Sequence, residues 1–199
     1  MPSDTYKTIT GTAEGTYSEK RSKFLAFAMH VESVDEVKAL VADYQKRFYD
    51  ARHACYAYML GPARTDFRAN DNGEPSGTAG KPILGQINSN ELTDILIIVV
   101  RYFGGIKLGT SGLIQAYRQA AIEAIQNAEI VELTVDEQCT FTFDFTEMNG
   151  VMKVVKELGP QIVSQTYDNQ CTMTLRIRQS LMPQMHDKLA KVESLLFQE

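Results

Sequence analysis

Three places in this 199-residue chain gather residue types that can do chemistry. The first is Asn70-Asp71-Asn72-Gly73-Glu74-Pro75-Ser76-Gly77-Thr78-Ala79-Gly80-Lys81-Pro82. Asp71 and Glu74 are candidate acids or bases, Ser76 and Thr78 offer hydroxyls, and Lys81 can meet an anion. The same composition also makes a turn-rich loop whose Asp and Ser bond their own backbone. The second is Arg101-Tyr102-Phe103-Gly104-Gly105-Ile106-Lys107-Leu108-Gly109-Thr110-Ser111-Gly112. Here Gly104, Gly105 and Gly109 let the backbone approach a ligand, Arg101 and Lys107 carry charge, and Thr110 and Ser111 add hydroxyls. A helix starting at such a turn offers free N–H groups and the positive end of its dipole to an anion. The alternative is that the glycines only make the turn and Thr110 or Ser111 caps the helix. The third is His53 with Cys55, two residues apart on one strand face. A thiol–imidazole pair can act as a nucleophile, whereas a single histidine and cysteine on a core strand are more often structural.

Known signatures are missing. The Lys107–Ser111 segment lacks the Gly-Lys-Ser/Thr of a phosphate loop, and Gly109-Thr110-Ser111-Gly112 is not a nucleophile elbow. Cys55, Cys139 and Cys171 form no C-x-x-C and no Cys/His cluster, so no metal site and no cofactor is expected. Cys139 and Cys171 fall on the apolar faces of predicted strands and read as reduced core thiols. His30 and His186 have no partner visible in the sequence.

The elements that must position these residues follow from hydrophobic spacing. Ile95-Leu96-Ile97-Ile98-Val99-Val100 is a strand buried on both faces. Leu113, Ala116, Tyr117, Ala120, Ala121, Ala124, Ile125 and Ala128 recur at helical spacing and give one long amphipathic helix. His53 to Leu60 reads as another strand. Before it, Ser33 with Glu36 forms a capping box opening a helix with Val37, Leu40, Val41, Tyr44 and Phe48 inward. Residues 5–31 read as two strand-like pieces flanking a polar segment, and Gly61 to Gly80 reads as a long surface loop. A boundary falls near Leu133–Glu137, dividing residues 1–134 from 135–199. In the second part, Cys139, Phe141, Phe143 and Phe145 alternate as a half-exposed strand. A short helix stopped by Gly159-Pro160 follows, then a hairpin around Asp168-Asn169. Ser180 caps a last helix with Leu181, Met185, Leu189, Val192 and Leu196 inward. In the hairpin Thr172, Thr174, Arg176 and Arg178 share the open face. The chain is therefore an α+β protein of two α/β sandwiches.

A hydrophobic fraction of 44% and charged fraction of 23% fit an ordinary globular protein, and the formal net charge of -5 excludes a surface coated with nucleic acid throughout. No stretch reaches the roughly 18 apolar residues of a membrane span, and the N-terminus has no signal-peptide core. A cytoplasmic protein without membrane contact is expected.

Gly73-Glu74-Pro75-Ser76-Gly77-Thr78-Ala79-Gly80, with Arg101 to Gly109 and Gly112-Leu113-Ile114-Gln115-Ala116-Tyr117, resembles the IMPACT family and in particular its bacterial YigZ-like branch. Arg21-Ser22-Lys23-Phe24 and Ala51 to Tyr58 are similar to the family's earlier blocks. The resemblance covers roughly residues 15–130, and residues 135–199 are similar to the C-terminal domain of elongation factor G. The family usually has a second aspartate where Asn72 stands, a further glycine near Ser111, and an arginine where Gln115 stands.

The resemblance implies an N-terminal domain with a left-handed βαβ crossover, as in a small-subunit ribosomal protein, RNase PH and the GHMP kinases. It implies a ferredoxin-like βαββα domain after it. For function it implies translational regulation, since the family's eukaryotic members compete for the activator of a starvation-responsive kinase. Three functions are therefore expected in order. The first is a translation-associated protein binding RNA, the ribosome or a translation factor. Phosphates would meet Lys81, Arg101 and Lys107, Arg176 and Arg178 with Thr172 and Thr174 would form an RNA platform, and salt would weaken binding steeply. The second is a protein-interaction module. The third is an enzyme on a phosphorylated small molecule or nucleotide, with His53, Asp71 or Glu74 as acid or base.

Overall fold

The computed structural model of the chain describes residues 4–198. The elements run β1 (Thr5–Thr10), β2 (Thr12–Glu19), β3 (Ser22–His30), α1 (Val34–Arg47), β4 (His53–Leu60), β5 (Asp66–Asn70), α2 (Gly80–Ser89), β6 (Ile95–Tyr102), α3 (Gly109–Gln126) and β7 (Glu129–Thr134). After these come β8 (Asp136–Phe143), α4 (Met148–Leu158), β9 (Gln161–Tyr167), β10 (Cys171–Arg178), α5 (Met182–Leu189) and β11 (Leu196–Phe197). Two compact units result: Tyr6–Leu133, and the residues from Thr134 onward together with Asp4 and Thr5.

In the first unit five strands pair in the order β2-β3-β6-β4-β5, antiparallel throughout. Helix α1 joins β3 to β4, which run the same way on either side of β6. The β-branched run of β6 feeds two cores because side chains alternate across a strand. Ile95, Ile97 and Val99 face α2 and α3, with Phe24, Cys55 and Tyr117. Leu96, Ile98 and Val100 face α1, with Phe27, Val37 and Tyr44. β1 and β7 form a separate two-stranded ribbon.

The second unit has one sheet, β11-β8-β10-β9, antiparallel throughout, which is the split βαβ arrangement of ferredoxin-like folds. Cys171, Met173, Leu175 and Ile177 of β10 are buried with Phe141, Phe143, Val151 and Met185. Helix α4 ends where Gly159 adopts φ 65, the left-handed conformation glycine takes without strain. Among the described residues no helix is long and apolar enough to cross a membrane.

Several local expectations are corrected. The polar segment after Gly11 is strand β2, which packs on α3 so closely that a Cβ on Gly15 would lie 2.3 Å from the Ala124 nitrogen. Gly61 to Gly80 is not one loop: β5 lies within it, and Gly80 opens α2. Strand β5, Asp66-Phe67-Arg68-Ala69-Asn70, does alternate, but over only five residues and with Phe67 55% exposed, so it does not stand out from the turn-forming residues around it. Ser180 does not cap α5. Its N–H donates to Asp4 Oδ2 at 3.1 Å, and α5 ends at Leu189, leaving Leu196 in β11 and 65% exposed. At α1, Ser33 Oγ accepts from the Glu36 N–H at 3.2 Å, but the Glu36 side chain reaches one residue further back, to the Glu32 N–H.

Candidate ligand cleft

The register of the first sheet sets Arg101 of β6 between Phe24 of β3 and His53 of β4. Arg101 has the same parity as Ile97 and Val99, so it shares the face covered by α3. It is 7% exposed, and its guanidinium lies 5.7 Å from the Phe24 ring centre and 5.6 Å from that of Phe103. An arginine this buried needs a counter-charge. Glu74 supplies it: Arg101 NH1 donates to Glu74 Oε1 at 2.7 Å, and the Tyr117 hydroxyl donates to the same oxygen at 2.8 Å. His53 Nε2 lies 4.0 Å from Glu74 Oε2, and His53 Nδ1 is 2.8 Å from the Asn72 carbonyl. Three separate elements and one loop thus converge on a buried carboxylate.

This carboxylate opens onto a cleft of about 250 Å³ lined by Glu74, Arg101, Lys107, Leu108, Gly109 and Thr110. Thr110 and Ser111 lie in the first turn of α3, whose N-terminus carries no side-chain cap and no acidic residue. The capping alternative is thereby corrected. Lys107 is exposed, and among the described residues it has no ion-pair partner.

Other candidates fall elsewhere. Asp71 is structural: its carboxylate accepts from the N–H groups of Gly77, Ala79 and Gly80 at 2.8, 3.0 and 2.8 Å, which caps the start of α2. Burial pushes the Asp71 carboxyl up, but those three N–H groups and nearby Lys81 outweigh it, and the net shift is downward. An acid held in this way is a poor proton carrier. Cys55 is not an activated nucleophile either. Its thiol lies 2.9 Å from the Asp71 carbonyl and 3.4 Å from the Tyr117 hydroxyl, and burial pushes its pKa up to about 12. The Thr78 hydroxyl donates to the Pro75 carbonyl at 2.6 Å, and Ser76 is exposed.

Lys81 faces a different groove, of about 540 Å³, between α2 and α3 beside Arg118. Gly104 is needed for packing, since a Cβ there would lie 2.0 Å from the Arg21 carbonyl carbon; Gly105 makes the turn at φ 87. On the second unit's sheet, Arg178 is bound to Asp4 through Nε and NH2, both at 2.6 Å, and so is not a free cation. Arg176 donates to Gln138 in the amide orientation that satisfies both groups, and Thr174 bonds Thr140 at 2.9 Å. Thr172 is half-buried.

Tyr117 is the residue that sequence reasoning missed. The sequence sets it in the alanine-rich stripe and at the end of the Gly112–Tyr117 block, and neither gives its hydroxyl a role. The available signal is chemical: a tyrosine on a buried stripe must find a partner for its hydroxyl. Among the described residues no three or more His, Cys, Asp or Glu side chains gather as a metal ion would require.

Comparison with known proteins agrees with the motifs on which this cleft is built. The Impact N-terminal domain matches residues 20–125, which hold the whole cleft. The IMPACT family member YigZ of Escherichia coli (strain K12) is 32% identical over 160 residues, 79% of this chain and 78% of that protein. The IMPACT family member of Haemophilus influenzae is 31% identical over 180 residues, 88% and 86% of the two chains. A crystal structure of a hypothetical protein superposes with a TM-score of 0.75 at 27% identity, covering 98% of this chain and 96% of that one. The chain belongs to the IMPACT family.

Proposed function

We propose that the chain is a translation-associated regulator that binds RNA through a phosphate group held in the 250 Å³ cleft. The observation that carries this reading is the shared cleft: Glu74 and Arg101, 27 residues apart, meet across from Lys107 and the uncapped first turn of α3. Lys107 supplies charge there, and the α3 N–H groups and dipole supply directed donors. Arg101 does not bind the anion by its full charge, because Glu74 neutralises it; it sets the floor of the cleft. The translation context is what membership of the family implies. The test is equilibrium binding of a short single-stranded RNA to the whole protein, with and without Lys107→Ala. Saturable binding weakened at least fivefold by the substitution supports the reading, and binding indifferent to it refutes it.

A second reading, an enzyme acting on a phosphorylated small molecule, is favoured by the 4.0 Å approach of His53 to Glu74. Turnover that survives a Glu74→Gln, His53→Ala double substitution removes that assignment.

A further inference from the structure

The tip of the β2–β3 hairpin carries cations that the cleft does not use. The strands pair as far as Glu19 and Ser22, so Lys20 and Arg21 form a two-residue turn. Both have positive φ, 44 and 65, which such turns require and which asparagine and glycine adopt most easily. Two long basic side chains there run against the local backbone preference. Lys20, Arg21 and Lys23 are exposed, and among the described residues none of them forms an ion pair.

Packing fixes this tip beside the cleft. The Gly104 N–H donates to Ser22 Oγ at 3.2 Å, and a Cβ on Gly104 would lie 2.0 Å from the Arg21 carbonyl carbon, so the hairpin and the glycine turn touch backbone to backbone. Lys20 lines a hollow of about 170 Å³ with Tyr17, Glu19, Leu108, Gly112 and Gln115. Leu108 also lines the cleft that holds Lys107, so the two hollows adjoin across it. Glu19, the acidic residue of that lining, gives one carboxylate oxygen to the Tyr17 hydroxyl at 3.1 Å. Lys23 pairs with Tyr102 across the sheet, which sets Phe103, 46% exposed, next to the hairpin. An exposed aromatic ring gives an unpaired base a surface on which to stack.

We propose that the hairpin tip is a second phosphate subsite, at which a single RNA strand held by Lys107 in the cleft sets another of its phosphates against Lys20 and Arg21. This rests on the reading of the neighbouring cleft as a phosphate site. Three cations on one hairpin attract a polyanion, and charge alone does not tell RNA from an acidic protein segment. Phe103 favours RNA, because an acidic peptide has no base to lay on the ring. Asn-Gly is the sequence this turn prefers, so Lys20-Arg21 trades local stability for charge at the rim of the site.

The experiment gives the turn the residues its backbone prefers, Lys20→Asn with Arg21→Gly, and measures urea unfolding and binding of a short single-stranded RNA by the whole protein. The urea midpoint should equal or exceed that of the unsubstituted protein, while RNA binds about fivefold or more weaker. The slope of log K against log salt should flatten by about 0.7, the share of one phosphate. A purely structural turn would move the midpoint and not the slope. A glutamate peptide of the same charge should bind the unsubstituted protein about fivefold or more weaker than the RNA, since it cannot stack. RNA binding indifferent to the turn but weakened by Lys107→Ala overturns the second subsite and spares the cleft. Binding weakened by the turn variant but not by Lys107→Ala refutes the cleft and the paired subsites together, as does binding indifferent to both. Equal binding of the peptide overturns RNA as the ligand. If the turn variant unfolds at lower urea, Lys20→Gln with Arg21→Gln, which removes the charges and keeps long side chains, is judged by the same outcomes.

Discussion

Glu74 shows how one residue can be both part of the core and the chemical centre of a site. Its side chain is 3% exposed, and it compensates an arginine that is nearly as buried. Removing one member of such a pair strands the other charge, whereas removing a neutral donor from the edge leaves the pair intact. Glu74→Ala should therefore destabilise the protein by about 3–5 kcal/mol. Tyr117→Phe, which deletes only a hydroxyl, should cost about 1 kcal/mol. Urea unfolding of both variants measures the difference, and a Tyr117→Phe cost equal to that of Glu74→Ala would mean that Tyr117, not Arg101, holds the carboxylate. Cys55 sits beneath the same network with its thiol raised to about 12, so at pH 8 almost none of it is thiolate. A thiol reagent should leave Cys55 unmodified in the native protein and label it on unfolding, which mass spectrometry of the digested protein resolves.

At the scale of elements, the instructive case is α2. Its first residues, Gly80-Lys81-Pro82, carry no local capping side chain, and so nothing in the sequence marks a helix starting where the Gly61–Gly80 segment ends. The cap comes from Asp71, nine residues before Gly80, and a signal at that distance lies outside the three-residue spacing by which helix starts are recognised. Strand β4 was legible to its ends because its alternation is local. Strand β2 was not, because Gly15 is dictated by the close approach of α3 rather than by its neighbours in sequence. The site divides in the same way. Arg101, Lys107 and Glu74 were legible as chemistry, but the pairing of Glu74 with Arg101 and Tyr117 is fixed by sheet register and helix packing. Asp71 makes a prediction specific to this scale. Its folded pKa is depressed, so its contribution is complete above the usual carboxylate value near 4 and fades as pH falls through the lower folded value. Asp71→Ala should cost about 2 kcal/mol at pH 7, and the gap from the unsubstituted protein should shrink below about pH 4. Urea midpoints from pH 7 to pH 3 check this, and a gap that widens on acidification refutes it.

For the whole molecule, the balance of charge decides how RNA binding must depend on salt. With a formal net charge of -5 the chain repels a polyanion at long range, so binding must rely on a local cluster. The sequence offered several cations for that cluster and hence a steep salt dependence. The structure removes most of them from a common surface: Arg101 is neutralised by Glu74, Arg178 by Asp4, and Lys81 lies in the groove with Arg118. What remains in the cleft is Lys107 with the N–H groups of α3. Each phosphate neutralised on a single strand contributes about 0.7 to the slope of log K against log salt. One or two such contacts predict a slope of about -1, far shallower than that of a protein lying along a nucleic acid. Lys107→Ala should flatten it by about 0.7, and Arg176→Ala should leave it unchanged. Binding isotherms between 50 and 300 mM salt, or about that range, distinguish the cases. A slope steeper than about -3 would place the contact on a broader surface than this cleft, and the two-loop site would then be the wrong address for the RNA.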